Sequence, residues 1–291
     1  MPLPPTKELM MSQTQETTIP TVTLNNGVKI PQLGFGVFQV PEEDTQRIVE
    51  NALEAGYRHI DTAAAYRNET GVGAAIAASG IPREEIFVTT KLRNGEQGLV
   101  YEAFQDSRKA LDLDYVDLYL IHWPVPSQGL FTGAWKAMEK LYGDGLTRAI
   151  GVSNFLKPHL DTLRASSDII PAVNQIEIHP TFQQRDLVAT SRSRGIAVEA
   201  YSPLGQGADL DSGTVRYLAA KYTVTPAQIV LAWHLSTGNI AIPKTSSADR
   251  MRQNFEAAAI TLTASELTAV NALEEGARIG ADPATAAFTQ F

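Results

Sequence analysis

Four short runs of the chain place reactive side chains directly after strand-like apolar stretches: Asp61 and Tyr66 in DTAAAY, Lys91 in VTTKL, His122 in HWP, and Lys244 in IPK. Between them they offer acid, base and anion-binding groups. Taken singly, each residue has an ordinary structural use. Asp61 suits a helix cap, Tyr66 and His122 suit hydrogen-bonded positions at half burial, and Lys91 suits the surface. Position makes chemistry the better reading: if the preceding stretches are parallel strands of one closed barrel, their C-terminal ends share a face, and residues far apart in the chain meet around one ligand.

The elements needed for that convergence are readable. Val22-Thr23-Leu24, Asn25-Asn26-Gly27 and Val28-Lys29-Ile30 form two β runs around an Asn-Gly turn signal, a hairpin capping one end of the domain. From Leu33 onward, strand-like runs alternate with amphipathic segments, as expected for β-α units with right-handed crossovers. Core strands are predicted near 33–37, 58–61, 86–91, 116–121, 148–152, 171–175, 196–201 and 239–242. Helices are predicted between and after them, near 44–55, 69–79, 99–111, 131–142, 157–165, 183–194, 226–237, 247–258 and 264–275. Eight such strands suggest closure. The expected fold is α/β, a single (β/α)8 TIM barrel with an N-terminal β-hairpin cap and a short C-terminal tail. Segment 205–225 is long for a β-α connection, and its glycines suggest a loop before a short extra helix that folds over a ligand.

Composition narrows the classes. The 291 residues are 44% hydrophobic and 19% charged, enough apolar material for a large core, and no linker interrupts the middle. Residues 1–18 read as a disordered extension and 19–291 as the barrel domain. A net charge of −8 opposes binding to nucleic acid or anionic membrane, so neither is expected as a partner. The absence of cysteine removes disulfides, thiolate nucleophiles and cysteine-based zinc sites. With no secretory signal and no long apolar span, a cytoplasmic location is expected; a monomer is expected as well.

Several motifs are missing. Gly71-Val72-Gly73 and Gly34-Phe35-Gly36 each lack the third glycine of the dinucleotide fingerprint. There is no phosphate loop, no H-E-x-x-H and no G-x-S-x-G. Glu177 and His179 lack a third partner nearby in the sequence, so no metal site is expected. His59 lies on the same strand face as Asp61 and is expected to pack or hydrogen-bond. His159 and His234 fall on helices.

The runs GFGVFQV, YRHIDTAAAYRNE, VTTKL, LIHWP, IGVSNF, NQIEIHP, AYSPLGQG and IPKT, with Arg250 and Gln253-Asn254 after them, resemble the signature runs of aldo-keto reductases, in that family's order. The resemblance extends from about Val22 to Phe255. It is closest in character to the bacterial branch that includes 2,5-diketo-gluconate reductases. It implies NADPH-dependent reduction of aldehydes and ketones, keto acids or keto sugars among them, by hydride transfer from nicotinamide. By the resemblance Tyr66 is the proton donor. An ordinary tyrosine has a pKa of about 10, so it needs a neighbouring positive charge, and Lys91 matches that helper. Asp61 matches the carboxylate that holds the lysine, and His122 the group that points at the carbonyl oxygen.

The resemblance also implies a cofactor site. Ser153, Asn154 and Gln175 would meet the nicotinamide carboxamide, and Tyr201 would stack on the ring. Ser202, Pro203, Leu204 and Gln206 would pass over the pyrophosphate. Lys244, Thr245, Ser246 and Arg250 would take the 2′-phosphate, favouring NADPH over NADH. Gln253 and Asn254 would reach the adenine, although the family often has Glu at the first of these positions.

A small-molecule carbonyl substrate would approach between Val37, Phe38, Tyr66, Trp123 and the loop after Lys91. There the chain departs from the family's K-L-W-N, having Lys91-Leu92-Arg93-Asn94. Arg93 either widens the pocket or grips an anionic carbonyl compound, or points into water. The tail after Glu275 is expected to wall the pocket only in part. Two other functions fit the fold: an NADPH-binding regulatory barrel without significant turnover, and a metal-dependent hydrolase. The first is at odds with four matching catalytic positions, the second with the lack of strand-end His and Asp clusters.

Overall fold

Alternation along short strands decides this architecture. In Phe87–Leu92, successive side chains point to opposite faces, so Phe87, Thr89 and Lys91 share one face and Val88, Thr90 and Leu92 the other. All six are buried, because one face looks into a barrel and the other is covered by helices. The computed structural model describes residues 17–290. Most of the expected N-terminal extension, residues 1–16, lies outside the described residues.

A hairpin comes first: β1 (Thr21–Thr23) pairs antiparallel with β2 (Lys29–Pro31), with Val22 opposite Ile30. Eight parallel strands follow: β3 (Phe35–Gly36), β4 (His59–Asp61), β5 (Phe87–Leu92), β6 (Leu118–Ile121), β7 (Ile150–Ser153), β8 (Val173–Glu177), β9 (Ala197–Tyr201) and β10 (Ile240–Ala241). Each pairs with its chain neighbour. The ring closes where Leu33 bridges Ala241 in parallel, Gly34 N–H donates to Ala241 O at 2.9 Å and Gly36 N–H to Pro243 O at 3.1 Å. The barrel and its hairpin cap therefore have the strand order expected from the sequence.

Around the ring lie α1 (Glu42–Glu54), α2 (Glu69–Ala78), α3 (Val100–Leu111), α4 (Phe131–Gly143), α5 (Lys157–Ser166), α6 (Arg185–Ser193), α7 (Gly213–Tyr222), α8 (Pro226–Ser236), α9 (Ala248–Glu256) and α10 (Ala264–Asn271). The short extra helix expected in 205–225 is α7. None of the described helices is long and apolar enough to cross a membrane. The outer core between strands and helices includes Val49, Phe104, Trp135 and Val230. Gly73 serves this layer: a Cβ there would overlap the Leu111 carbonyl, so the helices α2 and α3 meet through a position only glycine fills.

Inside the barrel, Phe87, Leu118, Leu120, Val173 and Ile240 form a separate apolar floor, on which Leu24 and Ile30 of the hairpin pack. The hairpin thus closes the N-terminal end. Reactive chemistry is left to the layers above, at the C-terminal end of the strands.

Candidate active site

Above the floor the inward positions turn polar. His59 and Asp61 on β4, Thr89 and Lys91 on β5, Gln175 on β8 and Glu199 on β9 are all buried polar side chains, which need hydrogen-bond partners inside the barrel. Most of their polar atoms meet within the cluster. The Lys91 ammonium donates to Asp61 Oδ1 at 2.6 Å, to the Thr62 carbonyl at 2.8 Å and to Tyr66 Oη at 3.4 Å, which uses all three of its hydrogens. Gln175 Nε2 donates to Asp61 Oδ2 at 2.8 Å and to Glu199 Oε2 at 2.9 Å. Tyr66 reaches the group from a short 3₁₀ turn (Ala64–Tyr66) directly after β4, so Asp61 and Tyr66 arrive from one element and Lys91 from the next.

The charges follow from this packing. Burial alone would lower Lys91, but Asp61, Tyr66 and Glu199 together outweigh it and hold the amine above its ordinary range as an ammonium. Burial raises the Tyr66 phenol and the Lys91 charge pulls it back, with Asp61 opposing that pull, so the net shift is upward and the phenol keeps its proton. His122 is pushed well below its ordinary range by burial and by the Lys91 charge, so it is a neutral imidazole. Its ring stands edge-on to Tyr66 at 5.7 Å between centroids.

These groups open into a cavity of about 910 Å³. At the reactive end it is lined by Tyr66, His122, Phe38, Trp123 and Phe288, and at the far end by Lys244, Thr245, Arg250, Gln253 and Asn254. Between the ends lie Ser153, Asn154, Gln175 and Tyr201. Tyr201 Oη donates to Asn154 Oδ1 at 2.8 Å, while Asn154 Nδ2 donates to the His122 carbonyl at 3.0 Å and to Ser153 Oγ at 3.1 Å. Ser202, Pro203, Leu204 and Gln206 form one rim. At the far end, α9 begins beside Lys244, and its N-terminal amides add to the two cations in favouring an anion. Among the described residues, four of the nine non-glycine residues with left-handed backbone, Gln39, Asn154, Ser202 and Gln206, line this cavity. Local backbone strain is therefore concentrated at the site.

Three of the expected positions lie elsewhere. Val37 is buried in the outer core, and Ser246 lies outside the cavity lining. Arg93 does not face the cavity either. Its guanidinium donates to the Gln290 carbonyl at 3.3 Å and lies 3.4 Å from Glu96, because the C-terminal tail occupies the space outside it. The tail also does more than wall the pocket in part. Asn94 Nδ2 donates to the Phe288 carbonyl at 3.0 Å, Gly95 N–H donates to Thr289 O at 3.0 Å, and the Phe288 ring meets Trp123 edge-on at 5.0 Å. Phe288, Gly280 and Ala281 are lining residues that the sequence reading missed. Their only signal was an aromatic residue among small ones, near the end of the chain.

A closed eight-stranded barrel of this kind has counterparts among known proteins. The aldo/keto reductase family model matches residues 32–275. The chain belongs to the aldo/keto reductase family. An aldo-keto reductase of Mycolicibacterium smegmatis is 50% identical over 272 residues, spanning 93% of this chain and 99% of that protein. The methylglyoxal reductase DkgA of Yersinia pestis is 48% identical over 269 residues, spanning 92% of this chain and 97% of that protein. Among solved structures, a Bombyx mori aldo-keto reductase in complex with NADP superposes with a TM-score of 0.84 at 39% identity, covering 89% of this chain and 94% of that one.

Proposed function

We propose that this aldo/keto reductase catalyses NADPH-dependent reduction of neutral aldehydes and ketones to alcohols. The observation that carries the reading is the buried Asp61–Lys91–Tyr66 contact opening into one end of a cavity whose other end is cationic. The cavity suits the dinucleotide by its donor set. Lys244 and Arg250 stand beside a helix start for a phosphate, Asn154 and Gln175 supply amides along the middle, and the Tyr201 ring offers a flat apolar face. The relatives named above support the same cofactor and carbonyl chemistry.

When bound, the reduced cofactor supplies a hydride to the carbonyl carbon. The protein's own task is the oxygen. Tyr66 delivers its proton to the oxygen as negative charge grows there, and the adjoining Lys91 ammonium stabilises the phenolate that remains. Asp61 keeps Lys91 charged despite full burial, and Gln175 keeps Asp61 aimed. Neutral His122 adds a hydrogen bond to the same oxygen. With Phe38, Trp123 and Phe288 above it, the reacting oxygen is shielded from water, which strengthens each of these interactions.

The proposal favours uncharged substrates. Among the described residues, the only lysine and arginine side chains lining the cavity are Lys244 and Arg250, both at the far end, while Arg93 is engaged with the tail. A keto acid would place its carboxylate among aromatic rings. The test follows NADPH absorbance with methyl phenylglyoxylate and with phenylglyoxylate, a neutral and an anionic compound that share the same reacting ketone. We expect kcat/KM to be at least ~10-fold higher for the neutral compound, equivalent to about 1.4 kcal/mol. Equal values would remove the selectivity argument, and absence of turnover across a panel of simple carbonyl compounds would remove the enzymatic one.

A further inference from the structure

Below the cavity rim lies a charged cluster that plays no part in the proton transfer. His179, just past β8, is 1% exposed and stands between two carboxylates. Its Nε2 lies 3.2 Å from Glu177 Oε1 and its Nδ1 lies 2.8 Å from Asp209 Oδ2. An imidazolium carries two N–H donors pointing in opposite directions, which is what two carboxylates from separate segments require.

Each carboxylate in turn fixes a different piece of chain. Glu177 accepts the backbone N–H groups of Ile279 at 2.6 Å and Gly280 at 2.8 Å, so it anchors the tail. Asp209 belongs to the 3₁₀ segment Gly205–Asp211 that follows the cavity rim, and it also accepts from Thr181 Oγ1 at 2.7 Å. Both segments press on the cluster through glycines. A Cβ on Gly205 would stand 2.5 Å from Asp209 Oδ2 and 3.3 Å from His179 Nδ1; one on Gly280 would stand 2.7 Å from Glu177 Oε2. The cluster is therefore built to a fit on both sides.

We infer that Glu177, His179 and Asp209 form a charged clasp that fastens the rim segment 202–211 and the C-terminal tail over the cavity, and so sets how fast the bound dinucleotide leaves. His179 is a positioning residue in this scheme. The inference rests on the reading that the rim segment covers NADPH. Either carboxylate alone would hold one segment; the imidazolium joins them, so that both loosen together when it is lost.

The clasp has a pH range. Burial opposes the charge on His179, but hydrogen bonds and attraction from Asp209 and Glu177 outweigh it and push the group up to about 9. Other groups facing it are His234 of α8, lowered to about 4 by burial, whose Nε2 lies 2.9 Å from the Pro203 carbonyl, and Arg278 of the tail, stacked 4.6 Å over the Phe182 ring. His234 is thus neutral wherever His179 titrates.

The test compares full-length wild type, Asp209→Asn and His179→Leu. NADPH dissociation is measured by stopped-flow displacement, and His179 protonation by NMR in the cofactor-free protein. Both variants should release NADPH at least ~10-fold faster at pH 7, while the single-turnover rate at saturating NADPH stays within ~2-fold. Wild-type release should quicken as pH rises through about 9 with His179 titration. In Asp209→Asn that titration should fall by roughly one unit or more. If His179→Leu does not fold, the near-isosteric Asp209→Asn decides the matter. Unchanged release in folded Asp209→Asn, or His179 titrating near its ordinary value of about 6.5 in wild type, would overturn the clasp alone. Failure of wild type to bind NADPH would overturn the proposed function and the clasp with it.

Discussion

Replacing Asp61 by Asn removes one charge and nothing of the shape, and the structure sets how much that should matter. Lys91 is 0% exposed and Asp61 2% exposed, so water cannot take over the interaction. One Asn oxygen can still accept from Lys91, but the amide nitrogen would then face Gln175 Nε2 across the 2.8 Å now spanned by a hydrogen bond. The result is an unpaired buried ammonium plus a donor-to-donor contact. Breaking a buried pair in this way costs about 3–5 kcal/mol. Adding Lys91→Met removes the stranded charge and should restore at least ~2 kcal/mol, because a well-packed apolar side chain tolerates this site better than an unpaired ion. Equilibrium urea unfolding of wild type, the single variants and the double variant measures both numbers. A loss below about 1 kcal/mol in Asp61→Asn, the range of exposed pairs, would refute the reasoning. So would a double variant no more stable than the single.

The remaining predictions concern the layers around that pair. Glu199 is pushed up to about 8, first by burial and then by the Asp61 charge. A raised acid contributes stability below its unfolded pKa of about 4.3 and loses it as pH rises to the folded value, so Glu199→Gln should gain on wild type by more than about 1 kcal/mol between pH 5 and 9 in urea titrations. Phe288→Ala removes the edge-on partner of Trp123 and should lower kcat/KM for an aromatic aldehyde by roughly 3–10-fold, following the ~0.5–1.5 kcal/mol of such a pair, with a smaller effect on a short aliphatic aldehyde. Arg93→Ala frees the tail at Gln290 and should raise KM for both members of the neutral and anionic substrate pair while leaving their ratio unchanged. A ratio that moves would restore Arg93 as a substrate contact.

The fold was legible because each strand carries its own instructions. Alternation places His59 with Asp61 and Thr89 with Lys91, and apolar partners on the opposite face bring helices to the outside. Once the strands close in chain order, Tyr66 and Lys91 meet although they come from different elements, so the reactive end followed from local pattern plus closure. The tail was not legible in the same way. Asn94 and Phe288 are 194 positions apart and joined by a side-chain to backbone bond, which leaves no periodic trace in the sequence. Arg93 shows the limit of arguing from residue type: a guanidinium suits a carboxylate, yet which oxygen it meets depended on where the tail ran. Glu177 and His179 announce a shared face by their spacing, but the third member of their cluster, Asp209, arrives from a loop whose path only the packed structure defines.

The central claim is that the Tyr66 hydroxyl, next to the Lys91 ammonium, hands its proton to the substrate oxygen. Single-turnover oxidation of bound NADPH by a neutral aldehyde in Tyr66→Phe tests it most directly, since phenylalanine keeps the ring, its edge-on contact with His122 and its tilted contact with Phe38. The expected result is a fall of at least ~100-fold in the hydride-transfer rate, within the usual range for loss of a general acid, with NADPH affinity within a few-fold of wild type. A rate close to wild type with the cofactor normally bound would contradict the assignment.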